Sequence, residues 1–183
     1  FDVVRIISGK NRGLKLTELR KGDSGVRLRP TSDRVRESLF NVLQNNLDFN
    51  DLVVLDLFAG TGALGLEAIS RGAESVTFVE KAQVCQKIIQ KNVELLNCSD
   101  RTRLLSKDAT KLSPGERCDL VFLDPPYGQG LGELALKSAI SKGWIMAGTM
   151  VIFEESKKIV PNGFQLTDSR KFGGTTITFL TAL

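Results

Sequence analysis

Apolar positions along the chain follow two alternating patterns. Leu52-Val53-Val54-Leu55 is an unbroken apolar run, as expected of a strand covered on both faces. Ser75–Val79, Thr102–Leu105, Asp119–Leu123 and Thr149–Phe153 read as further strands. Between them, residues 63–71, 82–96 and 131–140 repeat at helical spacing, and in 82–96 Val84, Cys85, Ile88, Ile89, Leu95 and Leu96 share one side. Strands alternating with helices predict a mainly parallel, doubly wound α/β sheet. Gln165–Phe172 and Thr175–Thr181 predict a last hairpin around Gly173-Gly174. Ahead of this body, Val3–Ile7 and Leu14–Leu16 flank a turn-like Ser8–Gly13 and read as a β-hairpin. Lys21–Pro30 is polar and reads as loop. A helix is expected over 32–46, carried by Val35, Leu39, Val42 and Leu43, with Thr31 and Ser32 as N-cap candidates and Asp33 in its first turn. The chain therefore divides into a basic arm over 1–30 and an α/β domain over 31–183.

Gly60-Thr61-Gly62-Ala63-Leu64-Gly65 fits G-x-G-x-x-G between a strand and a helix. Glycines there let a backbone approach a ligand, and the helix start offers N–H donors. Glu80 closes the next strand, 20 residues beyond Gly60, where a carboxylate accepts the ribose hydroxyls of a nucleoside. The turn alone serves nicotinamide dinucleotides and S-adenosylmethionine (SAM) alike. Asp56, four residues before Gly60, shifts the balance. A carboxylate there would repel a pyrophosphate and attract the ammonium group of SAM. Capping of the loop's own N–H groups by Asp56 is compatible with that role.

Asp124-Pro125-Pro126-Tyr127 follows the strand Val121-Phe122-Leu123, at the sheet edge where open α/β folds bind ligands. Two prolines stiffen the loop, so the Asp124 carboxylate and the Pro125 carbonyl become fixed acceptors. That pair suits the two hydrogens of an exocyclic base amine. Such an amine is a poor nucleophile because its lone pair is conjugated. Two acceptors on its hydrogens favour a pyramidal nitrogen with an available lone pair. Tyr127, the only tyrosine, suits stacking on the base.

Composition narrows the chemistry. The chain has 183 residues, 42% hydrophobic and 25% charged, which suits a globular domain. It lacks histidine, which removes Ser-His-Asp triads and His-based metal sites, and no metal is expected. Cys85, Cys98 and Cys118 show no CxxC spacing and read as reduced thiols of a cytoplasmic protein. Cys118 reads as a buried strand residue rather than a nucleophile. No apolar run is long enough to span a bilayer, so no membrane partner is expected. The start shows no basic-then-apolar signal, although it opens on Phe1 rather than Met, which leaves a trimmed leader open. Net charge is +4, yet residues 1–36 hold ten Lys and Arg against four acids. That concentration, with seven Arg among the ten, points to a polyanion.

The DLFAGTG and DPPY strings resemble the SAM-dependent methyltransferases that act on exocyclic nitrogens of nucleobases. RIISGKNRGLKL, RPTSDRVRESLFNVL and KFGGTTITFL are similar in content and order to the RsmD family, which methylates guanine N2 in small-subunit (16S) ribosomal RNA. The resemblance spans nearly the whole chain. It implies a Rossmann-like class I methyltransferase with a seven-stranded, mostly parallel sheet and an antiparallel last strand. It further implies that Phe58, Gly60 and Gly62 wrap the methionine part of SAM with Asp56 nearby. Glu80 would take the ribose, Lys81 would lie beside the adenosine, and Asp108-Ala109 would contact the adenine. Asp124, Pro125 and Tyr127 would hold the flipped guanine. Arg5, Arg12, Arg29, Thr31 and Arg34 would contact RNA. Lys107 stands where many relatives have glycine, which implies a tighter backbone on the adenine side. The implied partner is ribosomal RNA in a 30S subunit or assembly intermediate, and the implied state a monomer.

In-line transfer of the methyl group needs no covalent enzyme intermediate, so the absence of histidine is no obstacle. Three rivals compete. DNA adenine-N6 or cytosine-N4 methylation uses the same pocket chemistry, but the chain has no room for a separate DNA-recognition domain. A nicotinamide-dependent oxidoreductase leaves DPPY unexplained. A non-catalytic RNA-binding assembly factor does not require intact Asp56, Glu80 and Asp124.

Overall fold

A computed structural model describes residues 3–20, 23 and 31–183. Most of the loop expected over 21–30, including Arg29, lies outside the described residues. The strands are β1 (Val53–Leu57), β2 (Ser75–Val79), β3 (Thr102–Leu105), β4 (Leu120–Leu123), β5 (Met150–Glu155), β6 (Phe164–Phe172) and β7 (Thr175–Ala182). The helices are α1 (Asp33–Gln44), α2 (Ala63–Ser70), α3 (Gln83–Leu95) and α4 (Leu131–Ser141). Each falls within a few residues of the expected element. A 3₁₀ turn, Ser99–Arg101, enters β3.

The seven strands form one sheet in the order β3-β2-β1-β4-β5-β7-β6. β1 to β5 are parallel, and β7 runs antiparallel to both β5 and β6. The order reverses between β1 and β4, which opens a crevice at the carboxyl ends of the central strands. Alternation along the strands fills a core on each face. Val54, Val76, Phe78, Leu120, Phe122 and Ile152 pack with α1, α2 and α3. Leu55, Leu57, Val79, Val121, Leu123 and Phe153 pack with α4 and Trp144. All four residues of β4 are buried, which explains its continuous apolar run.

The N-terminal segment is a hairpin, with Ile6 N donating to Leu14 O and Leu16 N to Val4 O at 3.0 and 2.9 Å. Val4, Ile6 and Leu16 join the core beside α2. The outer face of α2 holds the hairpin through polar groups. Glu67, fully buried, accepts from Ile7 N and Ser8 N at 2.9 and 3.1 Å. Lys10 N donates to Ser70 O at 2.8 Å. Gly9, at φ +84°, lies so close to that carbonyl that a Cβ would sit 1.9 Å from it.

Arg36 departs from the picture of a uniformly basic arm. It is fully buried, donates to Arg5 O at 2.7 Å and pairs with Asp33 at 2.5 Å, with Glu67 3.7 Å away. Its charge is spent inside the protein. Ser32 caps α1, its Oγ accepting from Val35 N at 3.3 Å. Thr31, the other cap candidate, turns its hydroxyl elsewhere.

Candidate active site at the carboxyl edge of the sheet

The chain leaves β1 through a strained turn. Phe58, Gly60 and Gly62 all take positive φ, at +57°, +60° and +82°. The left-handed region suits glycine and costs a phenylalanine energy, so Phe58 is held by its surroundings. Ala59 N donates to Val79 O at 3.1 Å, fastening the turn to β2. Gly62 is the N-cap of α2 and brings no capping side chain. Asp56 supplies the missing acceptor from β1, its Oδ2 taking the Gly65 N–H at 3.0 Å. The capping role is therefore real. Burial pushes the Asp56 carboxyl up to about 8, against the lowering effect of the Gly65 bond and with a further rise from the charge of Glu80.

Glu80 is fixed at the end of β2. Its Oε2 accepts from Gly60 N and its Oε1 from Ala82 N, both at 2.8 Å. The carboxylate is thus set before any ligand arrives, bonded to the glycine turn on one side and the start of α3 on the other. Gln86 donates to Glu80 O and Ser106 Oγ at 2.9 and 2.8 Å, joining the exits of β2 and β3.

Past β3, Asp108 Oδ1 accepts from the N–H and hydroxyl of Thr110 at 2.9 and 2.7 Å. Those two bonds lead the forces that lower its pKa, and Lys81 and Lys111 add to them. Lys81 is exposed, and the Ala109 methyl is buried in the core, so only the backbone of Ala109 remains to face a ligand. Lys107 is exposed and its Nζ meets Ser113 Oγ.

Asp124 begins the loop after β4. Its N–H lies 3.5 Å from Leu57 O, and Leu57 pairs with Leu123 in the sheet. The DPPY loop and the glycine turn therefore leave adjacent parallel strands side by side. Asp124 keeps partial exposure, yet protein encloses its carboxyl. Burial, then the negative charges of Glu154, Asp56 and Glu155, drive that carboxyl well above its ordinary value of 3.8. The Tyr127 hydroxyl lies 3.1 Å from Glu154 Oε1 and 2.9 Å from Thr175 Oγ1. Glu154 also accepts from the Thr31 hydroxyl at 3.2 Å. Glu155 accepts from Gly128 N through both oxygens, at 3.2 and 3.1 Å.

The structure thus brings Asp56, Phe58, Gly60, Gly62 and Glu80 together, with Asp124, Pro125 and Tyr127 beside them. Thr31 joins this group through Glu154. Arg5, Arg12 and Arg34 are exposed on the arm and α1. Glu154 and Glu155 escape the sequence reading because they look like the frayed end of an apolar strand. Their signal is two adjacent acids extending a buried run, and both prove to be buried. Cys118 is buried at the start of β4, at the opposite end from the crevice, and burial raises its thiol to about 12.

These residues fit SAM. Asp56, Glu80, Asp124 and Glu154 crowd four carboxyl groups at one edge, and a ligand carrying a sulfonium and an ammonium group favours their ionised forms. The left-handed glycine turn leaves backbone open to approach, and the Glu80 carboxylate is already oriented.

The family model for conserved hypothetical protein 95 matches residues 4–181. Ribosomal RNA small subunit methyltransferase D from Haemophilus influenzae is 36% identical over 178 residues, covering 93% of this chain and 89% of that protein. The Escherichia coli K12 protein of the same name is 38% identical over 162 residues, covering 87% and 77%. A structure of a putative methyltransferase from Escherichia coli superposes with a TM-score of 0.83 at 31% identity, covering 99% of this chain and 98% of that one. A putative methylase from Haemophilus influenzae gives 0.79 at 31%, covering 100% and 99%. With this fold and this match along its length, the chain belongs to the family of the small-subunit ribosomal RNA methyltransferases D.

Proposed function

We propose that this protein methylates small-subunit ribosomal RNA with SAM as donor, and that the acceptor is the exocyclic N2 of a guanine. The observation that carries the reading is the adjacency of the DPPY loop and the glycine turn at the switch point, with Asp124 N near Leu57 O. The names of the relatives support the RNA class. A cytoplasmic, monomeric enzyme acting on a 30S subunit or its assembly intermediate fits the reading. Among the described residues no helix is long and apolar enough to cross a membrane.

SAM supplies an activated methyl group when bound. Phe58, Gly60 and Gly62 would shape its methionine end, Asp56 its ammonium, Glu80 its ribose, and Lys81, Asp108 and the Ala109 backbone its adenine. The Asp124 carboxylate and Pro125 carbonyl would accept the two amino hydrogens of a flipped base, turning the nitrogen lone pair outward. The raised proton affinity of Asp124 suits it to hold the proton that the amine gives up. Flipping costs a few kcal/mol, which phosphate contacts from Arg5, Arg12, Arg29 and Arg34 would offset. The basic N-terminal segment acts as the RNA arm and the remainder as the methyltransferase domain.

Methyl transfer from labelled SAM tests this. The substrates are 30S subunits and 16S RNA from cells lacking the activity, with duplex DNA in parallel. Mass spectrometry should find N2-methylguanosine in the RNA alone. Label in DNA, or on another base, would overturn the assignment.

A further inference from the structure

We propose that Glu154 is a positioning residue for the reaction: it holds Tyr127 in place at the base site and ties the start of α1 to it. This rests on the reading of Tyr127 as the residue that stacks on the target base. Glu154, the penultimate residue of β5, lies next to the DPPY loop, since Leu123 pairs with Phe153. Its side chain is buried at the carboxyl edge of the sheet, yet two hydroxyl-bearing side chains, Tyr127 and Thr31, bond it directly, and a third, Thr175, bonds Tyr127. Tyr127 comes from the loop after β4, Thr31 from the segment entering α1, and Thr175 from the start of β7.

The directions of these bonds follow from chemistry. Tyr127 Oη and Thr31 Oγ1 both donate to Glu154, as an ionised carboxylate requires, and these two bonds oppose the rise that burial imposes on its pKa. A phenol has one hydrogen, so Thr175 must donate to Tyr127. The ring is thereby held at its hydroxyl from two sides, and a phenol bonded to a charged acceptor is held more firmly than one bonded to a neutral group. The two prolines before Tyr127 stiffen the loop backbone. Glu154 helps fix the hydroxyl end of the side chain, which lowers the entropy lost when the complex forms. Thr31 extends the device. It lies just before the helix that presents Arg34, so the same carboxylate ties the start of α1 to the base site.

The test compares Glu154→Gln, Tyr127→Phe and the double variant. SAM affinity is measured by calorimetry and methyl transfer on 30S particles by kcat and KM. Because Tyr127 is the only tyrosine, the Raman Fermi doublet of tyrosine reports its hydrogen bond without ambiguity. We expect SAM affinity and melting temperature near those of the parent, and kcat about tenfold lower in each single variant. The double variant should be no worse than the poorer single one, and the doublet ratio of Glu154→Gln should move toward that of a neutral acceptor. Losses that multiply in the double variant, or an unchanged doublet, would overturn the proposal while leaving the methylation reading intact. Full activity of Tyr127→Phe and Glu154→Gln would do the same. A parent that methylates no RNA removes the reaction for which Tyr127 is positioned, and both readings fall together.

Discussion

Asp56 shows how one residue serves two states of the protein. It caps α2 through Gly65 N, yet burial raises its pKa from 3.8 to about 8. The folded protein therefore binds a proton that the unfolded chain releases between those values. Stability should fall as pH rises from about 4 to 8 and level off above, because ionising Asp56 in the folded state is the costly step. Asp56→Asn keeps an acceptor for Gly65 N and removes the charge. We expect it to flatten that decline and to be more stable than the parent at pH 8 by on the order of a few kcal/mol, as read from urea melts of the ligand-free protein. The same change should weaken SAM binding by about tenfold or more, by loss of a charged partner for its ammonium. A variant that loses stability at pH 8 would show that the charge, not the cap, is what the fold requires. Asp124 carries the activity counterpart. Its raised pKa places the acid limb of kcat/KM well above pH 4, since only the ionised carboxylate accepts both from the amine and, afterwards, its proton. A profile flat down to pH 5 would remove Asp124 from that role.

At the scale of elements, α3 connects the two halves of the proposed site. Asn92 is fully buried and its amide makes three bonds: Oδ1 accepts from Thr17 N at 2.6 Å, while Nδ2 donates to Thr17 O and Thr61 O at 3.0 Å. One side chain thus fastens the N-terminal arm to the glycine turn. Asn92→Ala leaves those backbone groups without their partner and should cost about 2–4 kcal/mol. Hydrogen exchange should quicken at the Thr17 amide, and SAM affinity should fall because the turn loosens. Unchanged protection at Thr17 would mean the arm is held without Asn92. This contact also marks the boundary of what the sequence discloses. Strands and helices were legible because burial on one or both faces writes a local period into the chain. The glycine turn and DPPY were legible because their chemistry is local too: positive φ at Gly60 and Gly62, stiffness at Pro125-Pro126. Asn92 to Thr17, Glu67 to Ile7 and Glu154 to Thr31 span 75, 60 and 123 positions. In sequence, Glu67 and Asn92 look like polar faces of amphipathic helices. Only the packing of the hairpin over α2 and α3 turns them inward.

For the whole molecule, acidic and basic groups are sorted between the site and the N-terminal segment with α1. Carboxylates crowd the site edge, while Arg5, Lys10, Arg12, Lys15, Arg20 and Arg34 are exposed on the arm and α1. Arg36 is absent from that set because Asp33 and Glu67 hold it inside. The arrangement asks a polyanion to lie along the arm and deliver one base, neutral in itself, to an acidic crevice that repels its phosphates. RNA affinity should then depend steeply on salt, with log K falling by about 0.7–0.9 per phosphate contact for each unit of log salt. Replacing Arg5, Arg12 or Arg34 singly by Gln should lower that slope by about one contact each and leave SAM affinity unchanged. Lys142 caps the C-terminal end of α4, bonded through its carbonyl to Gly115 N, on the face of the sheet opposite the hairpin. Lys142→Gln removes the same charge at that distance and should leave the slope as it was. Filter binding of 16S RNA over a salt series separates the two outcomes. A drop of equal size from Lys142→Gln would mean that the protein attracts RNA by net charge alone. A drop confined to the arm would mean that the hairpin docked on α2, rather than the +4 of the whole chain, determines where the RNA lies.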